Sequence, residues 1–92
     1  MKLGIEGNTA LVTASSSGLG KASAKALARE GVNVVINGRD AKRLDRAIKE
    51  VREAAEGDAD VIGQQADITK EKDIERLVEK TVSTFGSLDH LV

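Results

Sequence analysis

The chain has 92 residues, with 14 Lys and Arg against 15 Asp and Glu and a formal net charge of −1 at pH 7. This length predicts one small domain over residues 1–92, and the balanced charge argues against a nucleic-acid-binding arm or a polybasic membrane surface. With no cysteine and one histidine, the composition excludes a disulfide framework, a thiolate zinc site and a histidine metal cluster.

The first third of the chain alternates between β-strand and helix patterns. Residues 9–14, TALVTA, form a short apolar run that predicts the first strand. A helical pattern follows over residues 18–30, and Gly31 is suited to a left-handed cap behind it. We expect the inner face of this helix to carry Leu19, Ala22, Ala26 and Leu27. Residues 32–37, VNVVIN, are apolar on both faces and predict a strand buried in a parallel sheet.

The middle of the chain predicts a second helix and a weaker strand. Asp40 is a candidate N-cap, and Gly57 marks the expected end of the helix. Apolar residues recur there at helical spacing, at Leu44, Ala47, Ile48, Val51 and Ala55. The charged residues between them, Glu50 included, predict a solvated face with i,i+4 pairs. Residues 60–67, DVIGQQAD, predict the third strand.

The last third predicts a third helix and a final strand. The helix begins after Thr69 and stops at Gly86, and we expect its inner face to carry Ile74, Leu77, Val78, Thr81 and Phe85. Residues 88–92, LDHLV, predict the fourth strand, in which His90 is interpreted as structural. The resulting order is β-α-β-α-β-α-β. Because parallel strands need such crossovers, we predict an α/β fold with a doubly wound parallel sheet.

The stretch TASSSGLG (13–20) joins the predicted first strand to the first helix. In open α/β sheets ligands bind at such junctions, and the free N–H groups of a helix start attract phosphate. Small residues let a phosphate approach the backbone: Gly18 permits a tight turn, and Gly20 permits close helix packing. The candidate binding residues of this loop are Thr13, Ser15, Ser16, Ser17, Gly18, Leu19 and Gly20. The simpler alternative is a loop that only starts a helix.

Two phosphate-binding patterns fit this loop poorly. A P-loop would need a glycine at Ser15 and a hydroxyl residue at Ala22, so Lys21 is interpreted as a solvated residue of the first turn. The common G-x-G-x-x-G fingerprint is also not met. The pattern present is T-A-x-x-x-G-x-G.

That pattern resembles the T-G-x-x-x-G-x-G loop of the short-chain dehydrogenase/reductase family, with Ala14 in place of the first glycine. Three further segments are similar to family motifs in the same order: NGRDAKRL (37–44), ADIT (66–69) and LDHLV (88–92). The resemblance covers essentially the whole chain. It implies half of a Rossmann fold with the strand order 3-2-1-4, and a nicotinamide dinucleotide as cofactor.

The resemblance also indicates which dinucleotide to expect. The acid that binds the ribose 2′-hydroxyl in NAD-dependent sheets would stand at Gly38, and Arg39 follows it. Since a guanidinium can bind a 2′-phosphate through paired hydrogen bonds, NADP(H) is favoured over NAD(H). Asn37 could contribute a hydrogen bond. By the same resemblance, Asp67 would accept from the adenine amino group, with the Ile68 N–H assisting; the alternatives are an exposed turn residue for Arg39 and a turn-forming Asp67.

The family's chemistry moves a hydride between nicotinamide and a carbonyl or alcohol, with a Tyr, a Lys and a Ser as catalytic residues. The chain contains no Tyr, so no catalytic residue is assigned within it and the 92 residues are expected to be inactive alone. One alternative is a truncated, ancestral-like or designed assembly module with an empty loop, and another is part of a full-length reductase. An exposed edge strand and apolar face predict a homodimer. No signal-peptide-like or membrane-spanning segment is seen, so a cytoplasmic location is expected.

Overall fold

The computed structural model describes residues 7–13, 18–57 and 59–91, and of Leu19 only the backbone. Seven elements follow one another with short connections. They are β1 (Thr9–Val12), α1 (Gly18–Arg29), β2 (Asn33–Gly38), α2 (Ala41–Ala54), β3 (Val61–Gln65), α3 (Glu71–Phe85) and β4 (His90–Leu91). The predicted alternation of strands and helices is confirmed.

The four strands form one sheet in the order β3-β2-β1-β4, and every pairing is parallel. Val12 lies beside Ile36, and Ile36 lies beside Gly63. β2 and β3 therefore end side by side, and β1 ends near them on the same side of the sheet. The predicted doubly wound α/β sheet and its strand order are confirmed.

Helices cover both faces of the sheet. α1 and α2 pack on one face, where the strand residues Ala10, Val12, Val34 and Ile36 are fully buried. α3 packs on the other face, where Leu77 meets Leu11, Val35 and Ala66. Because successive residues of a strand point to opposite faces, β1 and β2 supply both cores. The central residues of β1 and β2 are apolar on both faces for this reason.

The predicted helix ends are largely confirmed. The Asp40 carboxylate accepts from the N–H groups of Lys42 and Arg43, at 2.9 and 3.3 Å, and so caps α2. Gly31 behind α1 and Gly86 behind α3 are left-handed, with φ of 79° and 84°. Strands are shorter than predicted: β1 stops at Val12, and Ala14 lies outside the described residues.

The predicted inner face of α1 is wrong in part. Ala24 and Ala28 are fully buried, whereas Ala22 and Ala26 are exposed. Alanines occupy every second position from 22 to 28, so residue type alone does not mark one face. Contact with the sheet and α2 selects the buried pair.

The predicted inner face of α3 is also corrected. Leu77 and Thr81 are buried and Phe85 is half-buried, but Ile74 and Val78 are 44 and 37% exposed. The apolar arc of this helix is wider than the strip that the sheet covers, since no second helix of the described residues packs beside α3. Among the residues described, no helix is long and apolar enough to cross a membrane.

Candidate functional site

The carboxyl edge of the sheet brings together residues that lie far apart in the sequence. Thr13 forms the turn after β1, Gly38 ends β2, and Gln65 ends β3 beside it. The Ala66 N–H donates to the Gly38 carbonyl at 3.1 Å, which extends the pairing one step beyond β3. The segments that follow β1, β2 and β3, and the start of α1, therefore lie at the carboxyl ends of the strands, as predicted.

α1 begins at a glycine with a left-handed backbone. Gly18 is the first residue of the helix and has a φ of 59°, a left-handed conformation that favours glycine. The first N–H groups of any helix have no partner within it, so those at Gly18, Leu19 and Gly20 are potential anion donors. Ser15, Ser16 and Ser17 lie outside the described residues, as does the Leu19 side chain.

An open cleft of about 360 Å³ lies at the ends of β2 and β3. Both elements of the predicted nucleotide site reach it: Arg39, which follows β2, and Asp67, which follows β3. Arg39 is exposed, and its carbonyl accepts from the Gln65 side-chain amide at 2.8 Å. The cleft is lined by Arg39, Gln64, Gln65, Ala66, Asp67 and Asp73.

Asp67 is held in a turn before α3. Its Oδ1 accepts from the Thr69 hydroxyl at 2.6 Å and from the Thr69 N–H at 2.9 Å. These bonds from Thr69, assisted by the charges of Arg39 and Lys70, lower the pKa of Asp67. Since a carboxylate offers about four acceptor positions, two bonds leave Asp67 able to accept from a ligand.

Asp73 faces the same turn from the first turn of α3. Its Oδ2 accepts from the Asp67 N–H at 2.8 Å, and its Oδ1 is paired with Arg76. The Asp67 N–H, followed by Arg76, lowers the pKa of Asp73. This carboxylate is therefore ionised at neutral pH and fixes the backbone at the end of β3.

Asn37 and Ile68 complete the predicted set at this edge. Asn37 is 1% exposed, and its side-chain amide lies 3.4 Å from the Ala66 carbonyl, to which it donates. Ile68 is 39% exposed, and within the described part of the chain its N–H donates to no other residue. Asn37 therefore links two strand ends, while the Ile68 backbone remains able to donate.

Lys21 differs from its predicted role as a solvated residue. Its ammonium lies 2.9 Å from Glu50 of α2, and Lys25 lies 3.4 Å from the same carboxylate. Glu50 thus bridges two lysines of α1 instead of pairing within its own helix. The Lys21 bond, with Lys25 as a smaller contribution, lowers the pKa of Glu50. The interaction clamps the two helices on one face of the sheet.

Three residues of the cleft were not singled out from the sequence: Gln64, Gln65 and Asp73. The two glutamines were interpreted as weakening a strand, although polar residues at a strand's carboxyl end also suit a binding edge. Asp73 lies six residues after Asp67, and an acid in a first helical turn is the signal that could have indicated it. Across residues 7–13, 18–57 and 59–91, no cluster of three His, Cys, Asp or Glu side chains could hold a metal.

The parallel sheet, its strand order and its helices define a Rossmann-type α/β domain. The family model described as short chain dehydrogenase matches residues 8–92. The chain belongs to the short-chain dehydrogenase family of oxidoreductases, as the loop pattern predicted. It is similar to an uncharacterized oxidoreductase of Methylorubrum extorquens, with 44% identity over 88 residues that cover 96% of this chain and 35% of the relative.

Solved structures show the same fold. L-Sorbose reductase from Gluconobacter frateurii, in complex with NADPH and L-sorbose, superposes with a TM-score of 0.90 at 34% identity. The match covers 99% of this chain and 34% of the reductase. A variant of actinorhodin polyketide ketoreductase with NADPH gives 0.84 at 33% identity, covering 99% of this chain and 33% of that one. The chain spans between 25 and 37% of the length of the first curated relatives it matches.

Proposed function

We propose that this chain is the cofactor-binding part of an oxidoreductase and that it prefers NADP(H) to NAD(H). The observation that carries the proposal is that Arg39 and Asp67 line the same cleft, at the carboxyl ends of parallel strands. Gly18 opens a helix at the same edge with a left-handed φ of 59°. Two of the solved relatives contain NADPH, and family membership supports the same ligand class.

The α1 start suits the pyrophosphate. Among the described residues, none has an atom within 4 Å of a Cβ built on Gly18. Free N–H groups and the positive end of the helix dipole favour an anion there. We assign Thr13, Ser15, Ser16, Ser17, Gly18, Leu19 and Gly20 to this subsite.

Arg39 accounts for the choice of dinucleotide. The end of β2 carries Gly38, which has no carboxylate to accept from a ribose 2′-hydroxyl or to repel a 2′-phosphate. The adjacent guanidinium is exposed in the cleft, where its charge already lowers the pKa of Asp67 as a contribution smaller than the Thr69 bonds. The Arg39 guanidinium could therefore donate hydrogen bonds to a 2′-phosphate and neutralise part of its charge. Asn37 holds the ends of β2 and β3 together through its bond to the Ala66 carbonyl.

Asp67 and Ile68 suit the adenine. Asp67 retains acceptor positions beyond its bonds to Thr69, and the Ile68 backbone can donate. An acceptor and a donor side by side match the amino group and ring nitrogen of adenine.

Bound NADPH would supply a hydride for a carbonyl group, or NADP⁺ would take one from an alcohol. The residues here bind and orient the dinucleotide, and the 92 residues contain no Tyr to act as the family's general acid or base. We propose that the parent activity is NADPH-dependent oxidoreduction and that this chain has no turnover of its own. The single domain of residues 1–92 and its cytoplasmic location stay predictions of the sequence.

A thermal-shift titration tests binding. A ligand that binds only the folded chain adds about 2.7 kcal/mol at 100 times its Kd, or about 10–20 °C in Tm for a chain of this size. We expect this shift with NADP⁺ and a smaller one with NAD⁺. The same Tm with and without NADP⁺ would instead favour an assembly module whose loop is empty.

Variants at Arg39 test the preference. Arg39→Ala should weaken NADP⁺ about 10- to 100-fold, because charge-assisted hydrogen bonds are worth about 1.5–3 kcal/mol, and should leave NAD⁺ nearly unchanged. Arg43→Ala is the matched control, since Arg43 is an exposed arginine of α2 outside the cleft. Retained NADP⁺ preference in Arg39→Asp would contradict the assignment.

We further propose that the chain forms a homodimer through α3 and β4. Three apolar residues at spacing four, Ile74, Val78 and Val82, are 37–44% exposed along α3. β4 is an edge of the sheet, and Leu91 on it is 69% exposed. Edge strands and contiguous apolar surface favour association. A second copy of the chain presents the same surface and is the partner we propose.

Sedimentation equilibrium tests the dimer at micromolar concentration. Val78→Glu should shift the wild-type dimer to monomer, because it places a charge between the exposed side chains of Ile74 and Val82. Ser83→Glu adds the same charge on the solvent side of α3, where Ser83 is exposed, and should leave the dimer intact. A monomeric wild-type chain would refute this proposal without bearing on cofactor binding.

A further inference from the structure

We propose that Asp73 is a positioning residue for the adenosine end of the cofactor. Its carboxylate, in the first turn of α3, fixes the main chain that carries Asp67 and Ile68 into the cleft. This inference rests on the proposed function, since it assigns Asp73 a part in the same nucleotide site.

The contact is direct and comes from a separate element. Asp73 Oδ2 accepts from the Asp67 N–H at 2.8 Å, across six positions of sequence. Ordinary capping would direct a third-position acid to the N-cap residue Lys70. Here the carboxylate reaches past the cap to the end of β3, so it does more than satisfy a free N–H of its own helix.

The turn is held through the N–H, the carbonyl and the carboxylate of Asp67. The Asp67 N–H is bound by Asp73, the Asp67 carbonyl accepts from the Lys70 N–H at 3.0 Å, and the Asp67 carboxylate accepts from Thr69. The peptide before Asp67 is fixed on its other side, because the Ala66 carbonyl accepts from Asn37. Of these restraints, only the Asp73 bond joins the turn to the body of α3.

Asp73 is itself well oriented. Arg76, three residues on, pairs with its Oδ1 and leaves Oδ2 directed at the turn. The Asp73 side chain is only 17% exposed, whereas that of Arg76 is 68% exposed. A fixed and largely covered acceptor loses little freedom on binding the Asp67 N–H. Removing it would release the Asp67 backbone and, with it, the direction of the Ile68 N–H.

The test uses adenosine 2′,5′-bisphosphate, which carries the adenosine and the 2′-phosphate, and nicotinamide mononucleotide, which carries neither. We expect Asp73→Ala to weaken the bisphosphate about three- to tenfold, in line with loss of one hydrogen bond, and to leave the mononucleotide unchanged. Asp73→Asn keeps an acceptor oxygen and should restore binding. Asp73→Glu keeps the charge but displaces the carboxylate, and should bind as weakly as the alanine variant.

Glu71→Ala is the matched control, because Glu71 is the other first-turn acid of α3 and is exposed. It should lower Tm slightly through the helix dipole, by less than Asp73→Ala, which also loses the bond to the Asp67 N–H. It should not weaken the bisphosphate. Amide exchange at Asp67 should accelerate in Asp73→Ala and Asp73→Glu only. If Asp73→Ala does not fold, Asp73→Glu against Asp73→Asn decides the question.

Unchanged bisphosphate affinity in Asp73→Ala or Asp73→Glu, with a wild type that binds, would overturn the role of Asp73 alone. A wild-type chain that binds neither NADP⁺ nor the bisphosphate would overturn the proposed function as well. Equal weakening by Asp73→Asn and Asp73→Ala would mean that charge and not the hydrogen bond matters, which also refutes the positioning role.

Discussion

The two faces of the sheet are built from the same strands but are covered to different extents. On one face α1 and α2 pack side by side over β1, β2 and β3, and Glu50 links the two helices through Lys21 and Lys25. On the other face α3 lies without a neighbouring helix in the described residues and leaves a stripe of exposed apolar residues. The first face is covered by two helices, whereas the second leaves apolar side chains of α3 exposed.

The proposed nucleotide site lies at the carboxyl ends of the strands and includes residues from both faces. Gly18 begins α1 and so lies on the closed face, which is the face covered by α1 and α2. Asp67 and Asp73 lie just before α3 and in its first turn, on the open face, which α3 alone covers among the described helices. A site assembled from both faces requires the sheet to hold them in register. Substitutions that destabilise one face but not the other therefore also show on which face the site depends more.

The largest expected effect compares matched core truncations on the two faces. Ile36→Ala on the closed face and Leu77→Ala on the open face each remove three carbons from a side chain at most 1% exposed. We expect losses in unfolding free energy of about 4 kcal/mol for Ile36 and about 2–3 kcal/mol for Leu77, because the open face can relax around the cavity. Urea denaturation measures both. Equal losses would show that the faces are equally well packed.

The next effect probes how full the closed face is. A Cβ on Gly63 would overlap the Ile48 Cδ1 and lie 3.3 Å from the Leu44 Cγ. Gly63→Ala should therefore cost about 1–3 kcal/mol through overpacking. Ile48→Val removes the overlapping carbon, so the double variant should recover much of that loss in a double-mutant cycle. Additive losses would mean that Ile48 is not the obstacle.

Acid should lower the stability of the folded chain through Asp67 and Asp73. Asp67 and Asp73 have pKa values lowered from the ordinary 3.8 by their hydrogen bonds to Thr69 and to the Asp67 N–H. Carboxylates with a lowered pKa stabilise the folded state above that ordinary value, and the contribution disappears as pH falls through the lowered one. We expect the urea midpoint to drop between pH 5 and pH 2. The drop should be smaller in the Asp67→Asn, Asp73→Asn double variant; equal drops would exclude these two groups as its source.

The smallest effect concerns the clamp on the closed face. Glu50→Gln removes the partner of Lys21 and Lys25, and because this carboxylate is solvent-accessible we expect only a slight fall in Tm. Salt screens such pairs, so the difference from wild type should vanish at about 1 M NaCl. Glu53→Gln, on an exposed position of the same helix, should change nothing. A salt-independent loss in Glu50→Gln would indicate packing instead of charge.

The sequence indicated most of the fold because the local signals agree with one another. Apolar runs such as VNVVIN predicted buried parallel strands, Asp40 predicted an N-cap, Gly31 predicted a left-handed cap and Gly86 predicted the end of α3, all of which the structure confirms. Helix faces were harder. Alanines at alternate positions of α1 do not distinguish faces, and the apolar arc of α3 exceeds the strip that the sheet covers.

The sequence alone indicated the order of elements, with Gly18 at a helix start and Arg39 and Asp67 after strand ends, because propensity, periodicity and caps act over a few residues. The strand order was implied by the family resemblance. Only the tertiary structure decided which side chains meet: Glu50 with Lys21, and Asp73 with the Asp67 N–H. Those contacts depend on where a helix lies on a twisted sheet. Packing sets that position, and no short stretch of residues encodes it.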